Sequence, residues 1–153
     1  MPLRYTGIRV TDLKKSVRFY TKALGLHEAM RGDLREYGLG IWVLLEDPET
    51  HQRLELNWYP PRSNYATKYV PGDGLDHIGF LMGRVPAARL EVEYRRLLRA
   101  GAKPTEVTPK RTQSWAFDVK DPDGNWIEVF RHPTLAEERK ITASRPSKRK
   151  KSR

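Results

Sequence analysis

Two carboxylates and one imidazole, those of Glu55, His77 and Glu128, could do chemistry together in this 153-residue chain, because strand parity sends all three the same way. Side chains alternate across a strand, so residues two apart share a face. In Arg53-Leu54-Glu55-Leu56-Asn57 the leucines form an apolar face and leave Arg53, Glu55 and Asn57 opposite. Ile78 and Phe80 likewise leave His77 and Gly79 opposite, and Ile127 and Val129 leave Trp126, Glu128 and Phe130. In the first strand Ile8 and Val10 leave Tyr5, Gly7 and Arg9. If the second faces curve together, they line a cavity holding Glu55, His77 and Glu128. Carboxylates buried without a partner repel each other and cost several kcal/mol of desolvation, which a divalent cation would offset. Three oxygen or nitrogen ligands with open positions suit a catalytic Zn, Ni, Mn or Fe ion. Taken singly, a strand glutamate is usually solvated and a half-buried histidine is usually satisfied by a neighbour; agreement among four strands favours the shared site.

The elements that must position these groups run twice along the chain. Arg4 to Val10 reads as a strand. Asp12 then caps a helix with Leu13, Val17, Tyr20 and Leu24 at helical spacing, stopped by Gly25. His27–Arg31, Arg35–Leu45 and Gln52–Trp58 read as strands, the last two separated by the turn Glu46-Asp47-Pro48-Glu49. The pattern then restarts. Leu75–Met82 is a strand, Pro86 opens a helix running to Arg99, and Gly101 ends it. Thr105–Val107, Gln113–Val119 and Trp126–Phe130 are strands, with a tight turn at Asp121-Pro122-Asp123-Gly124-Asn125. Strand, helix and three strands thus recur at a spacing of about 70 residues. The predicted fold is α+β, two βαβββ modules with curved mixed sheets forming a cavity. The first module covers residues 1–60, a connector loop 61–74, the second module 75–132 and a basic, flexible tail 133–153. Neither module could bury its sheet alone, so they must pair within the chain or between chains.

Composition narrows the function classes. With 31% charged and 38% hydrophobic residues the chain reads as a soluble globular protein. No apolar run approaches the roughly 20 residues of a membrane helix, and the first residues lack a signal-peptide core. There is no cysteine, which excludes disulfides, thiolate ligands and cysteine nucleophiles. A cytoplasmic setting is expected. Of the net charge of +10, six charges come from Arg145, Lys148, Arg149, Lys150, Lys151 and Arg153. That tail has no aromatic residue for base stacking, so nucleic-acid binding is not expected beyond non-specific contact through the tail.

Four segments carry a family resemblance: Arg9 to Tyr20 with Leu24-Gly25, Leu54-Glu55-Leu56-Asn57-Trp58, Asp76-His77-Ile78-Gly79-Phe80, and Asp121 to Glu128. Over residues 3 to 131 the chain resembles the glyoxalase / bleomycin resistance protein / dioxygenase (vicinal oxygen chelate) superfamily, and within it the glyoxalase I (lactoylglutathione lyase) branch. The resemblance implies one divalent metal ion (Zn, Ni, Mn or Fe) with ligand positions at Tyr5, Glu55, His77 and Glu128. Tyr5 departs from the usual His or Gln. A neutral phenol suits zinc or nickel poorly, although a phenol can ligate iron, so a cavity-wall role with water in its place is favoured. The resemblance also implies Glu128 as catalytic base, Glu55 as ligand and second acid-base group, and Arg9 as a contact for an anionic substrate. Arg53 and Asn57 would add polar contacts, and Trp126, Trp115 or Phe130 an apolar wall. The implied activity is that of a lyase or isomerase on a small hydroxy-carbonyl or thiol-conjugate substrate, through an enediolate-like intermediate. The alternatives are small-molecule binding of the bleomycin-resistance type without a catalytic metal and, ranked lower for want of a first-position histidine, extradiol-type dioxygenation. A homodimer with interfacial sites is the expected assembly.

Overall fold

Asp12 accepts the Lys15 N–H at 3.0 Å and so opens helix α1, Leu13–Lys22, where a side-chain cap was expected. Helix α1 buries Ser16, Phe19 and Tyr20. Gly25 then takes a left-handed turn (φ 84°), letting the Leu26 N–H reach the Tyr20 carbonyl at 3.1 Å. The computed structural model of the chain describes residues 4–37, 40–63, 75–109 and 115–144. Most of the connector (64–74), the start of the Gln113–Val119 strand and the basic residues 145–153 lie outside these.

The first module consists of β1 (Thr6–Arg9), α1, β2 (His27–Asp33), β3 (Ile41–Glu46) and β4 (Arg53–Trp58). The second repeats it with β5 (His77–Arg84), helix α2 (Ala88–Arg99), β6 (Lys103–Pro104), β7 (Ala116–Lys120) and β8 (Trp126–His132). Each module forms a four-stranded mixed sheet, in the orders β1-β4-β3-β2 and β5-β8-β7-β6. In both, the first strand lies parallel to the last and the other pairs are antiparallel. The sheets therefore superimpose in register: Gly7 pairs with Glu55 as Gly79 pairs with Glu128.

Parity is obeyed. Ile8, Val10, Leu54, Leu56, Ile127 and Val129 are buried, while Arg9, Glu55, Asn57, Trp126, Glu128 and Phe130 are half-buried. The apolar faces and both helices contribute to one core, which includes Phe19, Tyr20, Leu90, Leu97, Phe117 and Val119. The modules are also pinned by polar contacts between α1 and the β7–β8 turn. Fully buried Asp121 accepts the Tyr20 hydroxyl at 2.8 Å, and Asp123 accepts the Ser16 hydroxyl at 2.5 Å and the Thr11 N–H at 2.7 Å. Asp121 also accepts three backbone N–H groups of its own turn, from Asp123, Gly124 and Asn125. The Arg96 guanidinium donates to the Ala23 carbonyl at 2.5 Å, joining α2 to the end of α1.

Three local expectations are corrected. The long strand Arg35–Leu45 divides into a single 3-10 turn at Arg35–Tyr37 and β3 from Ile41. Asp33 captures the Arg35 N–H and guanidinium, and the Leu34 N–H closes on the Gly40 carbonyl at 2.9 Å. The strand read at Thr105–Val107 falls instead at Lys103–Pro104, because the Thr105 hydroxyl takes the Asp118 carbonyl that a strand N–H would use. Last, the segment read as a flexible tail begins with helix α3, Leu135–Ser144. Thr134 and Glu137 form a reciprocal capping box, each side chain accepting the other's backbone N–H at 3.3 and 2.8 Å. Glu137 also pairs with Arg131 at 2.7 Å, and Glu138 with Arg84 at 2.8 Å. Among the described residues no helix is long and apolar enough to cross a membrane.

Candidate metal centre

On the second sheet, β5 and β8 bring His77 and Glu128 together. The two residues are two positions apart in register on neighbouring parallel strands, and His77 Nε2 lies 3.7 Å from Glu128 Oε2. That distance is too long for a hydrogen bond and leaves both atoms facing a common space. The other ring nitrogen, Nδ1, is held by Asp76 Oδ1 at 2.6 Å. A carboxylate behind a histidine fixes the ring and leaves the front nitrogen as donor, the usual support of a metal-ligating imidazole. The Asp76 hydrogen bond raises the His77 pKa above its ordinary value; burial opposes this, and the Glu128 charge adds a smaller upward push.

A third carboxylate belongs to this cluster. Asp118 of β7 is the direct cross-strand partner of Glu128 and is half-buried. Burial pushes its pKa up, the Glu128 charge adds to this, and His77 opposes it. Sequence reasoning passed over Asp118 and Asp76. Parity could have found Asp118, since it lies between Phe117 and Val119, both fully buried.

On the first sheet, Glu55 accepts the Asn57 side-chain amide at 3.0 Å. Gly7 lies opposite, and a Cβ there would stand 3.2 Å from Asn57 Nδ2 and 3.8 Å from Glu55 Oε1. At Gly79 on the second sheet a Cβ would likewise stand 3.9 Å from Glu128 Oε2 and 3.3 Å from the Phe130 ring. Each carboxylate thus faces a glycine whose missing side chain leaves it accessible. Arg9 lies 4.8 Å over the Tyr59 ring, and Arg53 is ion-paired to Glu46 at 2.6 Å. Trp126 carries the Lys120 ammonium 5.1 Å above its ring, and Trp115 stacks under Arg131 at 4.9 Å. Tyr5 is 48% exposed, at the position equivalent to His77 when the Gly7–Glu55 and Gly79–Glu128 pairs are superimposed.

The structure brings His77 and Glu128 together but does not bring Glu55 to them. Among the described residues no three His, Asp or Glu side chains converge on a point that could hold a metal ion. The reason is architectural: the modules share a core through their apolar faces, so each polar face belongs to its own sheet. A groove of about 850 Å³ between the modules touches His77 and Gly79 but is lined by neither Glu55 nor Glu128. The donor chemistry fits a divalent ion as half of a site: one oriented imidazole nitrogen and one carboxylate, with oxygen donors required from elsewhere.

The lactoylglutathione lyase of Escherichia coli O157:H7 is 31% identical over 135 residues, covering 85% of this chain and 92% of that protein. The lactoylglutathione lyase of Pseudomonas putida is 30% identical over 157 residues, covering 86% and 85%. Among solved structures, the trypanothione-dependent glyoxalase I of Leishmania major superimposes with a TM-score of 0.62 at 22% identity, covering 94% of both chains. The fosfomycin resistance protein FosX of Listeria monocytogenes, crystallised with Mn(II), gives 0.63 at 13% identity, covering 90% of this chain and 96% of its own. These last two share the fold of two mixed sheets and their helices. A family model matches residues 3–129, and the chain belongs to the Glyoxalase/Bleomycin resistance protein/Dioxygenase superfamily.

Proposed function

We propose that this protein is a glyoxalase-like, metal-dependent lyase or isomerase whose site is completed in a homodimer. The observation that carries the reading is the His77–Glu128 pair, 3.7 Å apart with the imidazole fixed from behind by Asp76. Its complement is Glu55 on the first sheet, beside Gly7 and Asn57. Apposition of one chain's first sheet with a second copy's second sheet would join Glu55 to His77 and Glu128. His77, Glu128 and Glu55 would hold a divalent ion, which when bound would supply Lewis-acid stabilisation of negative charge developing on substrate oxygen. Glu128 accepts the proton from the carbon bearing the hydroxyl and returns it to the neighbouring carbon, while the hydroxyl proton passes to the neighbouring oxygen, so the hydroxy-carbonyl is isomerised without net oxidation. His77 and Glu55 hold the site, and Arg9 and Asn57 orient an anionic small molecule. Relatives named lactoylglutathione lyase make a thiol-conjugated hydroxy acid the first substrate to test.

The test combines three measurements on protein purified without added metal: elemental analysis, particle mass by analytical ultracentrifugation, and interconversion of lactoylglutathione with its thiol and oxoaldehyde components. Stoichiometric metal lost in His77→Ala, a dimer, and turnover support the reading. A monomer that takes up no metal under any loading condition overturns it in favour of a small-molecule binding protein. Tyr5 at the first ligand position and the absence of a three-donor group among the described residues are what favour that second reading.

A further inference from the structure

The repeat supplies its own control for one residue. Glu55 is paired across β3–β4 with Leu44, and Glu128 is paired across β7–β8 with Asp118, so Leu44 and Asp118 are equivalent positions. Leu44 is 6% exposed. The fold therefore accommodates, and buries, an apolar side chain there. Asp118 instead places a carboxylate in a half-buried position beside Glu128, with Asp76 close by and His77 as the opposing charge. Such a placement costs desolvation and like-charge repulsion, and the equivalent leucine shows that packing does not require it.

Directly opposed residues on antiparallel strands have Cβ atoms roughly 4.5–5.5 Å apart, so their carboxylates can reach a single ion between them. We propose that Asp118 is a further cation-directed residue of this site, an anionic oxygen donor that acts with His77 and Glu128 and replaces the donor that Tyr5 does not supply. This rests on the metal-dependent reading above. Three donors do not converge among the described residues, so Asp118 engages the ion by turning its side chain inward or across one bound water. Either route concentrates negative charge and hard oxygen ligands on one sheet, a set that favours Mn(II) or Fe(II).

The experiment uses the full chain, stripped of metal with a chelator and titrated with Mn(II), free ion being followed by electron paramagnetic resonance. Thermal melting of the metal-free protein is recorded alongside. Asp118→Asn removes the charge at constant shape, and Asp118→Leu installs the residue used by the other module. Both variants are expected to bind Mn(II) at least about tenfold more weakly than the parent, in the range seen when residues supporting metal ligands are lost. The metal-free Asp118→Leu protein should melt at or above the parent temperature. Parent-like Mn(II) affinity in both variants overturns the role of Asp118 and leaves the metal reading standing. A parent protein that binds no divalent ion overturns the metal reading itself, and this proposal with it.

Discussion

The Tyr20 hydroxyl donates to the Asp121 carboxylate at 2.8 Å, joining the first helix to the last turn across a sequence separation of 101 residues. Both side chains are fully buried. Tyr20→Phe leaves the ring in place and removes one donor from a buried acceptor, a loss of about 1–3 kcal/mol. Chemical denaturation should report it as a lower midpoint with an unchanged slope. An unaltered midpoint would show that the turn's own N–H groups satisfy Asp121 without Tyr20.

Glu128→Gln keeps the shape of the side chain and removes its ability to accept a proton. Turnover should fall by roughly 10²–10⁴, the usual contribution of a positioned base, with thermal melting shifted by no more than a few degrees. Full activity in this variant would remove Glu128 from the chemistry.

Gly7 lies across from Glu55 with only 3.2 Å between a hypothetical Cβ and Asn57 Nδ2. Gly7→Val would drive two further methyl groups into that opening. The expected result is a fall in kcat/KM of about tenfold or more with stability preserved, since a β-branched residue suits a strand. Gly7→Ala should fall between. Steady-state kinetics on both variants would contradict a substrate-side opening if neither differed from the parent.

Arg131, followed by the Thr134 N–H, holds the Glu137 carboxyl well below its ordinary value of 4.5, at about 2. A carboxylate with a depressed pKa in the folded state stabilises fully above its ordinary value, and that contribution is lost as pH falls through the folded value. Helix α3 should therefore loosen between about pH 4.5 and pH 2, visible as lost amide protection at residues 135–144. In Glu137→Gln that pH dependence should vanish.

Parity arguments made most of the fold readable from the sequence. Alternation along β1, β4, β5 and β8 gave the faces on which Tyr5, Glu55, His77 and Glu128 lie, because each strand has one apolar side packed on the shared core. What escaped was set by single side chains competing with regular backbone pairing: Asp33 around Arg35, Thr105 beside Asp118, and the Thr134–Glu137 capping box. The capping box was present in the sequence as Thr-Leu-Ala-Glu and was hidden by the basic residues that follow it. That Glu55 stands apart from His77 and Glu128 within one chain was not legible, since parity assigns faces within a sheet but does not say which sheets meet.

The paired glycine and glutamate are the chemistry-bearing positions that the two sheets share: around them Tyr5 answers His77, Arg53 answers Trp126, Asn57 answers Phe130 and Leu44 answers Asp118. A ligand lying on the axis between two such sheets would meet unlike hemispheres, one rich in acid and imidazole and the other in amide, phenol and guanidinium. If the proposed isomerase reaction takes place there, a flat intermediate would present its two faces to different neighbours, and a proton would be delivered from one side only. On the proposed reaction, divergence of the repeat would be a source of handedness, and the product should form as a single enantiomer.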